Sequence, residues 1–230
     1  MDTPSTASLL ATTVLFKEFD TDTLKRLAEL AIRRHYRRGQ IIFGQGDPGD
    51  NLFVVASGRV KVTVGSAEGD EMVLVSLGPS ETFGELALVD GRARSATVEA
   101  IEASDVLVVS RAAFFGLITE QPHLVEGLLR NLGGLIRRLT DQAADFVFLD
   151  LHGRVAKLLL SLAADRGPLS SDEQLIDLPF TQTEIANMVG GSRQSVNQIL
   201  RSYELAGYIE TSGHTVRLVR TEALKRRAGG

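Results

Sequence analysis

Between residues 122 and 149, apolar side chains recur at Val125, Leu128, Leu132, Leu135, Leu139, Phe146 and Leu149, in alternating steps of three and four interrupted only by Gln142. A stripe with a repeat near 3.5 residues is the seam of a coiled coil, so the stretch reads as one long helix. At about 1.5 Å per residue it would span roughly 40 Å, more than the core of a small domain can cover. The stripe has two readings, the buried face of a core helix or a seam against a second subunit. Its persistence over about three and a half heptads favours the second, and so does the different structural class of the sequence on either side. The expected dimer seam is therefore Leu128, Leu132, Leu135, Leu139, Gln142 and Phe146. Gly127, Gly133 and Gly134 lie inside this helix. Each costs about 1 kcal/mol relative to alanine, so they either weaken the helix or admit a close neighbour.

On the N-terminal side, residues 13–35 read as short helices, with Phe16, Phe19, Leu24, Leu27 and Ile32 at near-helical intervals and Asp20 or Thr21 able to cap. From Gly39 onward the pattern becomes short apolar runs divided by turn residues. Runs at 41–43, 52–55, 60–64, 72–75, 96–101 and 106–109 are separated by 46–50, Ser57-Gly58, Gly69-Asp70 and Gly78-Pro79-Ser80. Regular short strands with glycine-rich turns predict a β-sandwich or roll. Residues 110–119 read as a small helix, and Pro122 suits the first turn of the long one.

Beyond the long helix, Asp150 can cap a helix carrying Val155, Leu158, Leu159 and Leu162, and residues 166–173 read as an exposed loop. Thr181-Gln182-Thr183-Glu184 is a capping box ahead of Ile185, Met188 and Val189. Gly190-Gly191 makes a turn, and Ser192 caps a second helix with Val196, Ile199, Leu200 and Tyr203 on its inner face. Two short helices joined by a glycine turn predict a helix-turn-helix. Residues 208–219, with a Ser212-Gly213 turn, then read as a hairpin wing, and Lys225-Arg226-Arg227 as a basic tail.

A chain of 230 residues with 43% hydrophobic content can build two modest cores. It has no cysteine, which excludes disulfides, thiolate-held iron–sulfur clusters and a cysteine nucleophile. His35, His123, His152 and His214 lack ligand spacing, so neither a metal site nor haem is expected. A cupin-type enzyme, which needs convergent histidines and carboxylates, is disfavoured for the same reason. No basic stretch followed by an apolar run opens the chain, and no segment approaches the roughly 20 apolar residues of a membrane span. A cytoplasmic protein without membrane contact is expected. The net charge is only −4, but Lys and Arg slightly outnumber Asp and Glu from Asp150 onward, whereas acids dominate before it.

The most informative local motif is Phe83-Gly84-Glu85-Leu86-Ala87-Leu88 followed by Arg94-Ser95-Ala96. Its glycine would let backbone amides approach a phosphate, its arginine supplies fixed positive charge, and its carboxylate can accept a ribose hydroxyl. Within a β-roll this spacing resembles the phosphate-binding cassette of cyclic-nucleotide-binding domains. The roll, the long helix, the Phe148-Leu149-Asp150 joint and Thr181-x-x-Glu184-Ile185-Ala186-x-x-Val189-Gly190-x-Ser192-Arg193 follow one another in this order. That order resembles the cyclic-AMP receptor and fumarate-nitrate regulator superfamily of bacterial transcription factors, from about Phe16 to Leu218.

The resemblance implies an α+β chain in three parts: a cyclic-nucleotide-binding β-roll or jelly-roll over 1–120, a coiled-coil dimerisation helix over 121–149 and a winged helix-turn-helix over 150–230. Gly84, Glu85, Leu86, Arg94 and Ser95 match the effector contacts. The adjacent hydroxyls that contact adenine in the cyclic-AMP receptor fall, counted back from Asp150 without gaps, on Leu139 and Thr140. Only one hydroxyl survives, which leaves the base open; the effector that the resemblance leads one to expect is a cyclic nucleotide, cAMP or cGMP. An alternative is an effector-independent regulator with a vestigial roll site.

Arg193, Gln194, Asn197 and Gln198 lie on the outward face of the second helix, where arginine can pair with guanine and glutamine with adenine. The family carries glutamate at the position of Gln194 and arginine at that of Gln198, so guanine readout by Arg193 is expected beside an altered half-site. Thr181, Ser192 and Arg201 are placed for phosphate contacts. The expected protein is a homodimer on pseudo-palindromic double-stranded DNA, with recognition helices about 34 Å apart and the 166–173 loop open to RNA polymerase.

Overall fold

The computed structural model of the chain describes residues 5–17, 19–65, 71–122, 124–164, 174–177, 181–212 and 215–229. Contacts divide it into two compact units, Met1–Arg138 and Leu139–Gly230. The first begins with α1 (Thr6–Thr12), capped by Ser5, and α2 (Thr21–Leu30), whose N-cap Asp20 accepts from the Thr23 amide at 2.8 Å. The helical expectation for 13–35 fails after Leu30. Residues Ile32–Tyr36 form β1 instead, paired along their whole length with β8 (Ser104–Ser110), a non-local ladder that local periodicity does not report.

The remaining strands of the unit are β2 (Ile41–Phe43), β3 (Asn51–Ser57), β4 (Val60–Gly65), β5 (Glu71–Leu77), β6 (Thr82–Phe83) and β7 (Thr97–Ala100). They form two antiparallel four-stranded sheets ordered β1-β8-β3-β6 and β2-β7-β4-β5, the predicted roll. The Gly69-Asp70 turn lies outside the described residues. Side chains alternate across a strand, and β3 is apolar on both faces because each face meets a different core. Phe53 and Val55 join Val60, Leu77, Phe83, Val98, Val106 and Val108 in one core. Leu52 and Val54 join Leu10, Phe16, Leu27, Leu107, Val109 and Phe114 in the other, against the helices. Gly58 makes the β3–β4 turn at φ +78, and a Cβ there would lie 2.4 Å from the Ala103 carbonyl oxygen. Two further helices are α3 (Glu85–Asp90) and α4 (Arg111–Glu120), the latter capped by Ser110.

The long helix α5 runs over Leu124–Phe148, with Pro122 two residues ahead of it rather than in its first turn. Its expected seam needs correction. Leu128 is only 7% exposed and belongs to its own chain's core, with Leu132 packed against the same cluster. Leu135 and Gln142, one and two heptads beyond Leu128, share its face and are partly buried. The exposed stripe lies one residue further round: Leu129 (61% exposed), Ile136 (64%) and Ala143, interleaved with the exposed Val125, Leu139 and Phe146 and with half-buried Leu132 at its border with the core. This set keeps the alternating spacing and removes the polar interruption at Gln142. Gly127 is the close-approach glycine, since a Cβ there would lie 2.5 Å from the Leu15 carbonyl oxygen, whereas one on Gly133 or Gly134 would meet nothing.

The second unit holds α6 (Leu151–Ala164), β9 (Gln174–Asp177), α7 (Gln182–Val189), α8 (Arg193–Leu205), β10 (Ile209–Ser212), β11 (Thr215–Leu218) and α9 (Thr221–Arg227). Asp150 caps α6 as the sequence suggests, accepting from the Gly153 amide at 2.7 Å. The wing is a three-stranded antiparallel sheet ordered β10-β11-β9 rather than a lone hairpin, and the basic tail belongs to α9. The loop 166–173 and Gly213 of the expected turn lie outside the described residues. Tyr203 is buried and donates its hydroxyl to the His152 carbonyl at 2.7 Å. Burial pushes its pKa up to about 12.

Candidate functional site

The cassette is assembled in the first unit by β6, α3 and the segment leading into β7. Gly84 caps α3 in the left-handed region at φ +80, and a Cβ on it would lie 2.6 Å from Arg94 Nη1. Glycine is therefore required there both by backbone conformation and by the approach of the arginine. Arg94 is 4% exposed, donating from Nη1 to the Gly84 carbonyl and from Nη2 to the Asn51 carbonyl, each at 2.9 Å. Its guanidinium lies 4.2 Å from the Phe43 ring centroid and 5.4 Å from that of Phe53. The turn before β3 holds its backbone: the Arg94 amide donates to the Asp47 carbonyl at 2.8 Å, and the Gly46 amide to the Arg94 carbonyl at 2.9 Å. The Gly49 backbone packs so closely that a Cβ would sit 2.3 Å from that of Ala87 and 3.2 Å from Arg94 Nε.

Glu85 opens α3 and is 7% exposed. Burial pushes its carboxyl pKa up, while a hydrogen bond from its own backbone and the charges of Arg138 and Arg94 oppose the rise. Burial works against the charge of Arg94 too, and Asp50, Glu85 and Asp47 support it. Glu85 Oε2 and Arg94 Nε are both buried without a hydrogen-bond partner. An orphaned acceptor and an orphaned donor beside a bare glycine suit a ligand bearing an anionic oxygen and a hydroxyl. A cleft of about 390 Å³ reaches Arg94, with Tyr36, Phe43, Asn51 and Phe53 also in its wall.

Three supporting residues escape the sequence reading. Arg111 donates to the Leu88 carbonyl and, at 3.5 Å, to that of Ala87, tying α4 to the last turn of α3. From α5, Asn131 donates to the Thr82 hydroxyl at 2.9 Å, and Arg138 pairs with Glu81 at 3.8 Å. Asn131 and Arg138 are two turns apart on one helix face, the only signal in the sequence that they act together. Leu86 is 41% exposed and Ser95 lies at the surface, so Gly84, Glu85 and Arg94 are the members brought together in the interior. Leu139 and Thr140, both exposed on α5, fall within the second unit.

In that unit the helix-turn-helix has the capping box its sequence specifies. The Glu184 amide donates to Thr181 Oγ1 at 3.2 Å, and the Thr181 amide to Glu184 Oε2 at 2.7 Å. Gly190 ends α7 at φ +65, and Ser192 caps α8 by accepting from the Ser195 amide at 3.0 Å. The hydroxyls of Thr181 and Ser192, both on exposed residues, thus cap the starts of the two helices. Val196, Ile199, Leu200 and Tyr203 bury one face of α8, leaving Arg193, Gln194, Gln198 and Arg201 exposed on the other. Asn197, expected on the open face, is half-buried because it lies at the border of the apolar one.

A cyclic-nucleotide roll and a winged helix-turn-helix on one chain define a class of DNA-binding transcription regulator, and the comparisons with known proteins agree. The cyclic nucleotide-binding domain family matches residues 33–121, and the Crp-like helix-turn-helix domain family residues 153–227. The chain belongs to the Crp/Fnr family of transcription regulators, which are not enzymes. It is 34% identical over 220 residues to a CRP-like cAMP-activated global transcriptional regulator of Mycobacterium tuberculosis, covering 96% of this chain and 98% of that one. A transcriptional regulator of the CRP family from Thermus thermophilus shares 28% identity at a TM-score of 0.71, over 86% of this chain and 97% of that one. FixK2 from Bradyrhizobium japonicum shares the fold at a TM-score of 0.77 with 21% identity, over 85% of this chain and 96% of that one.

Proposed function

We propose that the chain is a homodimeric transcription regulator whose DNA affinity is set by cAMP or cGMP bound at Gly84, Glu85 and Arg94, with Leu86 and Ser95 at the rim. The observation that carries this reading is the pair of buried, unsatisfied polar atoms, Glu85 Oε2 and Arg94 Nε, beside a glycine that can hold no side chain. Arg94 receives the cyclic phosphate and Glu85 the ribose hydroxyl. Arg138 adds positive charge near Glu85. The cAMP-activated relative from Mycobacterium tuberculosis supports a nucleotide effector and makes cAMP the first ligand to try.

The dimer forms through Val125, Leu129, Leu132, Ile136, Leu139, Ala143 and Phe146 on α5, a seam support for which comes from the exposure of Leu129 and Ile136. Double-stranded DNA is read from the major groove by Arg193, Gln194 and Gln198, with Asn197 at the edge, while Arg201 and the amides at the capped helix starts meet phosphates. The roll and long helix form the sensing part of the chain, and 150–230 the DNA-binding part. No helix among the described residues is long and apolar enough to cross a membrane, which accords with a cytoplasmic site of action.

A second reading has its own support. Arg94 already holds two carbonyls and two aromatic faces, as a purely structural strut would. Calorimetric titration with cAMP and cGMP, beside their linear 5′-monophosphates, separates the two. The effector reading expects selective binding of one cyclic form, weakened at least about tenfold in Arg94→Ala, since a charge-assisted hydrogen bond contributes about 1.5–3 kcal/mol. Absence of binding to either cyclic form leaves the strut.

A further inference from the structure

The turn of the helix-turn-helix packs against an aromatic ring near the end of α5. A Cβ on Gly190 would lie 2.6 Å from Phe146 Cε1, and one on Gly191 would lie 2.8 Å from Leu151 Cδ1. Both glycines of the turn are thus occupied by side chains from the joint between α5 and α6. At Gly190 the positive φ and the ring each exclude a side chain. Arg154 completes the dock. Its guanidinium lies 5.1 Å from the Phe146 ring centroid, Nε donates to the Val189 carbonyl at 2.8 Å, and Nη1 donates to the Leu149 carbonyl at 2.7 Å. One planar fork therefore joins the last residue of α7 to the residue that follows α5, with the ring packed beside it. Lys157 and Asp145, paired at 2.6 Å, fasten α6 to α5 in the same region.

Phe146 is not consumed by these contacts. It remains 38% exposed and stands two heptads beyond Leu132 and one beyond Leu139 on the exposed stripe of α5. We infer that Phe146 is the positioning residue through which packing between the two long helices sets the orientation of each helix-turn-helix, its ring being shared by the dimer seam and the Gly190 turn. The inference rests on the dimeric, effector-controlled reading above. It adds that one side chain is common to the seam and the reading head, so a change in how the seam packs at Phe146 is passed to the turn. A leucine at this position would keep the seam apolar but would leave the space beside Gly190 and Arg154 unfilled.

The chain has no cysteine, so a single Leu205→Cys substitution, at a side chain 91% exposed on the last residue of α8, gives one spin label per protomer. Double electron–electron resonance on the full-length dimer then reads the separation of the two helices. With a cyclic nucleotide bound, the labelled parent and Phe146→Tyr should give the same narrow distribution. Phe146→Leu should give a broadened or displaced one, while nucleotide affinity by calorimetry and the dimer by sedimentation stay unchanged. The nucleotide-dependent gain in DNA affinity should fall by about tenfold. A parental distance distribution in Phe146→Leu would overturn the inference, as would a monomeric parent. Should Phe146→Leu fail to fold, Arg154→Gln should broaden or displace the distribution in its place, and a parental distribution there would equally overturn the inference. A dimeric parent whose DNA affinity ignores both nucleotides defeats the effector reading instead, and the distance comparison still decides the role of Phe146.

Discussion

Arg94 brings five N–H donors into the interior of the roll, and the carbonyls of Gly84 and Asn51 meet only two of them. Its neighbour Glu85 is the complementary case, a carboxylate acceptor held where burial disfavours its charge. A raised carboxyl pKa means that the folded roll prefers the protonated acid. The associated stability is complete below the ordinary value of 4.5 and is lost as pH rises through the folded value. Glu85→Gln should therefore melt higher than the parent at pH 7, with the difference closing as pH approaches 4.5. Melting curves showing the same difference at both pH values would contradict the assignment. The same variant should bind cyclic nucleotide more weakly, because the amide accepts a ribose hydroxyl without the carboxylate's charge, at a cost of about 1.5 kcal/mol. A residue that lowers stability while raising affinity is characteristic of a binding site rather than a core.

Among the elements, α5 shows how far sequence reading extends. The apolar period is plain in the residues, and so is the long helix. Choosing between the faces of Leu128 and Leu129 requires knowing where the roll's own core lies, because helical positions one residue apart differ by only about 100°. Leu129→Lys with Ile136→Lys should yield a folded monomer by sedimentation, and a persisting dimer would place the seam elsewhere. The roll strands with strong apolar runs are legible, whereas β1 and β6 depend on partners far along the chain and carry no local period. The cassette is legible as a motif, but its supports are not. Arg111, Asn131 and Arg138 act from α4 and α5 through contacts that only the fold brings about. The helix-turn-helix is legible almost residue by residue, because its capping box and glycine turn are local devices. Arg193→Ala should cost about 1–3 kcal/mol at the guanine it reads, and binding assays on a guanine-substituted half-site would show that difference vanish. An equal loss on every sequence would make Arg193 a phosphate contact.

In the whole molecule, the roll offers a charged, partly unsatisfied interior, the long helix an exposed apolar stripe, and the second unit an amphipathic recognition helix with its polar face open. Each is incomplete alone, and a nucleotide, a second copy and a DNA duplex would complete them. On the proposed reading, coupling among them would be a population shift, which requires the nucleotide to bind the DNA-competent arrangement more tightly than the other. The most direct test is the DNA affinity of the purified protein, followed by fluorescence anisotropy on a pseudo-palindromic duplex, without nucleotide and with saturating cAMP, cGMP or a linear monophosphate. One cyclic nucleotide alone should shift the affinity by about 5- to 150-fold, and Arg94→Ala should abolish the shift. Identical affinity under all four conditions would contradict effector control.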